Sequence, residues 1–148
     1  MGKSRIAAMP HRFLPDVALA DVAFEVSSPS LHGLFEESAK AMTEVMVDPR
    51  SLSPHTRRTV IVSSEDLDRL LYDFLTELIV MKDTDSLLFR DFRVSIDAGK
   101  NTLRCSLLGE PIDRVRHKLR NDVKAVTMHL FGIKRLQRRW KATIVLDI

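Results

Sequence analysis

The stretch FRVSIDAGKNTLRCSL, residues 92–107, largely decides the fold. Apolar and polar residues alternate on both sides of a central Ala98-Gly99-Lys100-Asn101, whose composition is that of a tight turn. Alternation with a period of two is typical of a strand with one buried and one exposed face, so this stretch predicts an antiparallel hairpin. Its inward-facing side chains would be Phe92, Val94, Ile96, Leu103, Cys105 and Leu107.

Two amphipathic helices are predicted on the N-terminal side of the hairpin. Apolar residues recur at helical spacing over 31–46, directly after the capping residues Ser28-Pro29-Ser30. A second apolar stripe covers 67–81 and follows Ser64-Glu65-Asp66, whose acids suit the positive end of a helix dipole. The second helix has the stronger pattern of the two.

Strand patterns also occur outside the hairpin and the helices. They cover 13–26, 57–63, 123–133 and 140–148, with a basic connection at 135–139 between the last two and an irregular basic stretch at 113–121. Because the helices come early and most strands late, the order predicts an α+β fold. We expect an antiparallel or mixed sheet with the two main helices on one face.

The size and composition indicate one domain. The chain has 148 residues, of which 45% are hydrophobic and 29% charged, enough to bury a core without disulfides. Residues 1–10 lack periodicity and are expected to be a flexible lead-in, which leaves 11–148 as the domain. No secretory or membrane-spanning stretch is evident, and the single cysteine, Cys105, excludes an internal disulfide framework, so we expect a cytoplasmic protein.

Several enzyme classes lack their usual motifs. There is no GxGxxG or GxxxxGK[ST] loop for phosphate binding, no HExxH and no GxSxG. Cys105 is flanked by alternating apolar residues and is expected in the core rather than as a nucleophile. The net charge of +3 is compatible with an anionic partner but does not identify one.

Two aspartates stand in apolar segments. Asp21 follows Val17-Ala18-Leu19-Ala20, and Asp147 lies within Ile144-Val145-Leu146-Asp147-Ile148. Each could simply end or cap a strand. A carboxylate removed from water needs donors or a cation, however, and a terminal carboxylate beside Asp147 would add a second anion there. These residues are therefore candidate ligands for a hard divalent cation.

Basic residues offer further candidates. Lys124 lies in a strand pattern, where it is either a partly exposed strand lysine or the partner of an acid. His129 is expected to be hydrogen-bonded within the fold rather than to bind metal. The two basic runs at 114–120 and 134–141 could contact phosphates or an acidic partner, or could be solvated loops.

In their order along the chain, several motifs resemble the archease family over about residues 13–148. They are Leu34-Phe35-Glu36-Glu37, Ala41-Met42, Asp66-Leu67, Leu70-Leu71-Tyr72-Asp73-Phe74, Gly109-Glu110, Ile112-Asp113, His117, Val123-Lys124-Ala125-Val126-Thr127-Met128-His129, Trp140-Lys141-Ala142 and Leu146-Asp147-Ile148. The resemblance implies a protein that activates an RtcB-type RNA ligase, promoting its GTP- or ATP-dependent guanylylation and its turnover in tRNA splicing and RNA repair. It implies no independent enzyme activity.

The resemblance also implies a metal site. Family members hold a divalent metal, commonly calcium, through residues that match Asp21, Asp147 and Ile148, with magnesium or manganese as alternatives; Lys124 matches a functionally important lysine. Many members have His-Thr-Ala-Asp before the first strand, whereas this chain has no histidine there and Asp16 stands near its place. The competing functions are an RNA-binding chaperone or specificity factor for a tRNA-modifying enzyme, and a metal-dependent enzyme for which no nucleophile or base is evident.

Overall fold

The computed structural model describes residues 11–14 and 21–148. In these ranges the chain forms seven strands, two α-helices and a short 3-10 helix, Pro49–Ser51. The strands and helices are β1 (His11–Leu14), β2 (Asp21–Ser28), α1 (Leu31–Met46), β3 (Thr56–Ser63), α2 (Leu67–Asp85), β4 (Leu87–Asp97), β5 (Thr102–Pro111), β6 (Ala125–Leu136) and β7 (Arg139–Asp147). The predicted lead-in, Pro15 and Asp16 lie outside the described residues.

The strands form two antiparallel sheets. One has four strands in the order β1-β2-β7-β6, and the other has three in the order β3-β5-β4. The α+β class, the two helices and the antiparallel pairing are confirmed. The division into two sheets was not predicted, because alternation shows which face of a strand is buried but not which other strand it pairs with.

Both helices begin at the residues that the sequence predicted. The Ser30 hydroxyl accepts a hydrogen bond from the Gly33 amide at 3.1 Å, and the Asp66 carboxylate accepts one from the Arg69 amide at 2.8 Å. Each cap satisfies an amide that has no partner within its own helix. α2 continues past Met81 to Asp85 and ends at Ser86, which has the left-handed φ of 54° typical of a helix terminus.

The core lies where the two helices meet both sheets. Phe24, Phe35, Phe74, Leu103 and Ile144 are among its largest fully buried side chains. Cys105 belongs to this core as predicted, and burial raises the pKa of its thiol to about 12. Neither α1 nor α2, the two helices in the described ranges, combines the length and apolarity needed to cross a membrane.

The C-terminal hairpin differs from its prediction. The predicted connection 135–139 is a turn at Gln137-Arg138 only, because both strands continue until Leu136 pairs with Arg139. Instead, the irregularity lies inside β6, where the pairing with β7 shifts between Thr127 and Gly132 and Leu130 adopts a φ of 60°. The simple alternation predicted for this strand is therefore interrupted.

Candidate metal-binding end of the four-stranded sheet

The structure brings Asp21 and Asp147 together. Asp21 is the first residue of β2, Asp147 is the last residue of β7, and the two are direct partners across the antiparallel pair. On the other side of β7, Ala125 at the start of β6 also pairs with Asp147. Directly opposite residues point to the same face with Cβ atoms about 5 Å apart. Two carboxylates thus share one row at one end of the sheet.

The surroundings do not neutralise this pair. The two aspartates lie on the face opposite to the core residues Phe24, Ile144 and Leu146, and both are partly buried. Within 11–14 and 21–148, neither side chain accepts a hydrogen bond or lies within 4 Å of a basic group. Like charges directly opposite each other repel, so the arrangement favours binding of a cation.

β6 runs beside Asp147, with Lys124 directly before its first residue and Thr127 within it. The Lys124 amide donates to the Asp147 carbonyl at 2.8 Å, which extends the strand pairing by one bond, and its side chain is exposed. The Thr127 hydroxyl is buried and has no hydrogen-bond partner in the described part of the chain. Because Thr127 is two residues beyond Ala125, it lies on the same face as the aspartates. Within the described ranges, Thr127 is therefore the third side chain on that face whose oxygen has no hydrogen-bond partner.

The remaining predicted site residues are placed as follows. Ile148 directly follows Asp147 and is partly buried. His129 is exposed and lies in the irregular part of β6. Its side chain makes no hydrogen bond to the described residues, so the predicted internal hydrogen bond is wrong. In the described ranges there is no group of three or more His, Cys, Asp or Glu side chains that could hold a metal. A metal here would therefore need oxygens from Ile148, Thr127 or water in addition to the two carboxylates.

A second carboxylate site was not predicted as a cluster. Glu110 is buried at the end of β5, and its carboxylate accepts two bonds from Arg116, at 2.6 and 2.9 Å. It also accepts one from the Ser53 amide at 2.6 Å, and its Oε2 lies 2.7 Å from His117 Nε2. His117 Nδ1 accepts from the Asp113 amide at 2.9 Å, which leaves Nε2 to carry the proton and to donate to Glu110.

The ion pair with Arg116 lowers the pKa of Glu110 to about 2. The motif Gly109-Glu110 and His117 had been recognised as a match to the family, but nothing in their spacing indicated a contact. The cluster ties the irregular stretch after β5 to the body of the fold, and all its groups are satisfied by one another. This is the pattern of a structural site.

The two predicted basic runs are partly used inside the protein. Arg120 donates to the Glu44 carbonyl at 2.7 Å, and Arg139 donates to the Ser27 hydroxyl at 2.9 Å. Arg135 stacks over Trp140 with 4.6 Å between guanidinium carbon and ring centroid, and Lys141 pairs with Glu25 at 3.1 Å. These contacts, like that of Arg116, are intramolecular, and they leave fewer basic side chains free to bind a partner than the sequence indicates.

Comparison with known proteins places these features in context. Residues 12–148 match the model of the Archease protein family (MTH1598/TM1083). The chain is 39% identical over 132 residues to the protein archease of Thermococcus gammatolerans, covering 87% of this chain and 93% of that protein. It is 38% identical over 132 residues to the protein archease of Pyrococcus furiosus, with the same coverage of 87% and 93%.

Solved structures agree in fold. The solution structure of Methanobacterium thermoautotrophicum protein 1598 has a TM-score of 0.80 and 36% identity, covering 94% of this chain and 99% of that one. The crystal structure described as an archease, possible chaperone, from Thermotoga maritima has a TM-score of 0.63 and 20% identity, covering 91% of this chain and 96% of that one. At that identity the second likeness shows the fold alone.

Proposed function

The chain belongs to the archease protein family, and from this premise we propose that it is a protein cofactor that activates an RtcB-type RNA ligase. The ligase carries out the reaction, and this protein promotes its nucleotide-dependent guanylylation, with GTP or ATP, and its turnover in tRNA splicing and RNA repair. The protein has no reaction of its own in this proposal. We place the protein in the cytoplasm, because that compartment keeps thiols such as the free, buried Cys105 reduced.

The observation that carries the proposal is the unneutralised carboxylate pair Asp21–Asp147. A protein without a nucleotide loop or a nucleophile site can still assist catalysis by presenting charge to a partner's active site. The pair stands at one end of the two central strands of the four-stranded sheet, where the C-terminal end of β7 meets the first residues of β2 and β6. A cation held there would be available to a second protein.

The donor set fits a hard divalent ion. Asp21 and Asp147 supply carboxylate oxygens, and Ile148 would add a backbone oxygen, which is the ligand chemistry that calcium prefers over nitrogen or sulfur. We propose calcium, with magnesium and manganese to be compared with it directly. Asp21, Asp147 and Ile148 would hold the ion, which would supply positive charge that compensates the two carboxylates.

Lys124 is the second functional residue in this proposal. Its backbone amide bonds to the Asp147 carbonyl, so its position is tied to that of the metal ligand, while its side chain is exposed. An ammonium group on a flexible stem can bind a nucleotide phosphate or a carboxylate of the ligase as a point charge. We therefore assign Lys124 a binding role at the same end of the sheet.

The test is ligase turnover with the cognate RNA ligase, an RNA with a 3′-phosphate, nucleotide and divalent metal, with this protein at substoichiometric amounts. Asp147→Asn keeps the size of the side chain but removes its charge, and it should abolish stimulation. Lys124→Met should reduce it strongly. Asp85→Asn, at an exposed side chain without contacts in the described residues, is the matched control and should stimulate normally. Full stimulation by Asp147→Asn would contradict the metal part of the proposal.

The alternative is an RNA-binding chaperone or specificity factor for a tRNA-modifying enzyme. The net charge of +3 and the exposed basic side chains of the runs 114–120 and 134–141 are compatible with it. In that case wild-type protein would leave ligase turnover unchanged but would bind tRNA in the absence of the ligase, with affinity falling as salt rises.

A further inference from the structure

The outer face of the three-stranded sheet gathers three arginines that are far apart in sequence. Arg57 lies on β3, Arg104 on the central strand β5, and Arg93 on β4. The register places them in successive rows: Arg57 opposite Leu108, Arg93 opposite Ser106, and Arg104 opposite Ile61. With about 4.8 Å between strands and about 7 Å between rows on one face, their Cα atoms form a triangle with sides of about 8 to 15 Å, because β5 lies between β3 and β4.

These arginines are free of internal partners. All three are exposed, and none lies within 4 Å of a carboxylate in the residues that the structure describes. Two acids share the face, Asp91 and Asp97, but Asp91 is already paired with Arg90 at 3.1 Å. Three positive charges against one unpaired negative charge leave this face at +2.

The face also has a place for a phosphate. Arg57, Arg93 and Ser106 line a shallow depression of about 370 Å³ together with Asp91, Phe92 and Leu108, and the Asp91 carboxylate in it is paired with Arg90. Two guanidinium groups and a hydroxyl can all donate hydrogen bonds to phosphate oxygens, and arginine can bind them through two bonds at once. The basic runs predicted from sequence offer no such convergence, since several of their members are engaged within the protein.

We propose that this sheet face, defined by Arg57, Arg93 and Arg104, is a docking surface for the backbone of RNA. The inference rests on the proposed function for the identity of its partner, the RNA that the ligase joins. The charges complement a polyanion, and flat sheet faces with hydroxyl and guanidinium donors suit a flexible strand. The face has no aromatic side chain among its outward residues, so binding depends on phosphates and not on base stacking.

Composition speaks against a protein partner at this face. The centres of protein interfaces are enriched in aromatic side chains and methionine, as well as in arginine, and are depleted of lysine, acids and serine. Here the outward residues of the central strand are Thr102, Arg104, Ser106 and Leu108, and the one large exposed apolar side chain beside them is Ile61, at 63% exposure. RNA is thus the better match.

The experiment measures binding of a labelled single-stranded RNA by fluorescence anisotropy, with the ligase absent and salt varied. The triple variant Arg57→Gln, Arg93→Gln, Arg104→Gln should bind about tenfold or more weakly. The slope of log affinity against log salt should become shallower by about 0.7 for each lost phosphate contact, or about 2 in all. The substituted side chains are exposed, and circular dichroism and a melting curve verify the fold.

The matched control removes the same charge elsewhere. Arg114→Gln, Lys118→Gln and Arg138→Gln alter three exposed side chains of the basic runs that form no hydrogen bond or ion pair within the described residues. This variant should retain nearly the wild-type slope. Equal losses in both triple variants would show a general charge effect and overturn the proposal, as would unchanged binding by the sheet variant or a wild-type protein that does not bind RNA.

Two further readouts separate this inference from the proposed function. Wild-type protein that binds RNA through the sheet face but fails to stimulate the ligase would refute the activator role and leave the docking surface standing. The second readout is direct binding of the protein to the ligase in the absence of RNA. If the sheet triple variant loses ligase binding while keeping RNA affinity, the face is a protein interface and the RNA proposal is wrong.

Discussion

Glu110 and the Asp21–Asp147 pair are two carboxylate sites with opposite surroundings. The Glu110 carboxylate accepts bonds from a guanidinium, an imidazole and a backbone amide, all at 2.6–2.9 Å. In the described ranges, the two aspartates accept no side-chain bonds and have no basic neighbour within 4 Å. Yet all three are at strand ends of the same small fold.

The difference separates a structural carboxylate from a pair of candidate cation ligands. A buried carboxylate with every oxygen satisfied contributes to the fold, and removing it leaves its donors unpaired. Two adjacent carboxylates that have no donors among residues 11–14 and 21–148 contribute repulsion, which a bound cation would relieve. Each of the following predictions sharpens this contrast or breaks it.

The largest expected effect on stability comes from Glu110→Gln. The substitution removes the charge that pairs with Arg116 and leaves the buried His117 with an amide instead of a carboxylate. We expect the free energy of unfolding to fall by about 2–4 kcal/mol, measured by urea denaturation. Glu65→Gln, at an exposed side chain without contacts in the described residues, should change it by less than about 0.5 kcal/mol. A similar small effect for both variants would mean that Glu110 does not stabilise the fold.

Calcium should stabilise the wild-type protein through the aspartate pair. At a free calcium concentration about 100 times the dissociation constant, the free energy of unfolding should rise by about 2.7 kcal/mol, and a chelator should reverse the gain. Asp147→Asn should lose this response, whereas Asp85→Asn should keep it. Equal stabilisation of Asp147→Asn would place the calcium elsewhere. Repeating the titration with magnesium and manganese ranks the three ions by their affinity for the protein.

Acid should weaken the Glu110 site over a defined range of pH. Because the folded-state pKa of about 2 lies below the ordinary value of 4.5, the contribution is fully present above 4.5 and is lost as pH falls toward 2. Allowing for the half-exposed Arg116, it is on the order of 2 kcal/mol. The stability difference between wild type and Glu110→Gln should therefore shrink across this range. A constant difference would contradict the lowered pKa.

The smallest effect is expected for Asp21→Asn without metal. In the presence of a chelator, removing one of two opposed like charges should raise the free energy of unfolding by about 0.2–1 kcal/mol. The measurement is urea denaturation of both proteins at neutral pH. A loss of stability larger than about 1 kcal/mol would show that Asp21 has a donor after all, and the contrast with Glu110 would disappear.

Local patterns predicted the local structure well. Ser30 and Asp66 cap the helices as their side chains suggested, the stretch 92–107 is a hairpin, and Cys105 is in the core. Such features depend on residues a few positions apart, whose hydrogen bonds and burial are encoded by spacing alone. The bulge in β6 was missed, because the identity of the residues near Leu130 does not reveal a break in pairing.

The candidate site was predicted in part. Asp21 and Asp147 were singled out as acids in apolar segments, and the family resemblance joined them with Ile148 and Lys124. The structure shows that Asp21 and Asp147 are adjacent. Binding of a metal and of the ligase stays a prediction. Asp16, which stands near the place of the family's histidine, lies outside the described residues.

The sequence by itself determined the helices, most strands, the buried faces and the family. Tertiary structure alone decided that Asp21 opposes Asp147, that Glu110 meets Arg116 and His117, and that Arg57, Arg93 and Arg104 share a face. The physical reason is that periodicity records how each segment meets solvent, whereas pairing between distant segments depends on the packing of the whole chain. Charged residues that are far apart in the sequence come together on one face only when the chain has folded.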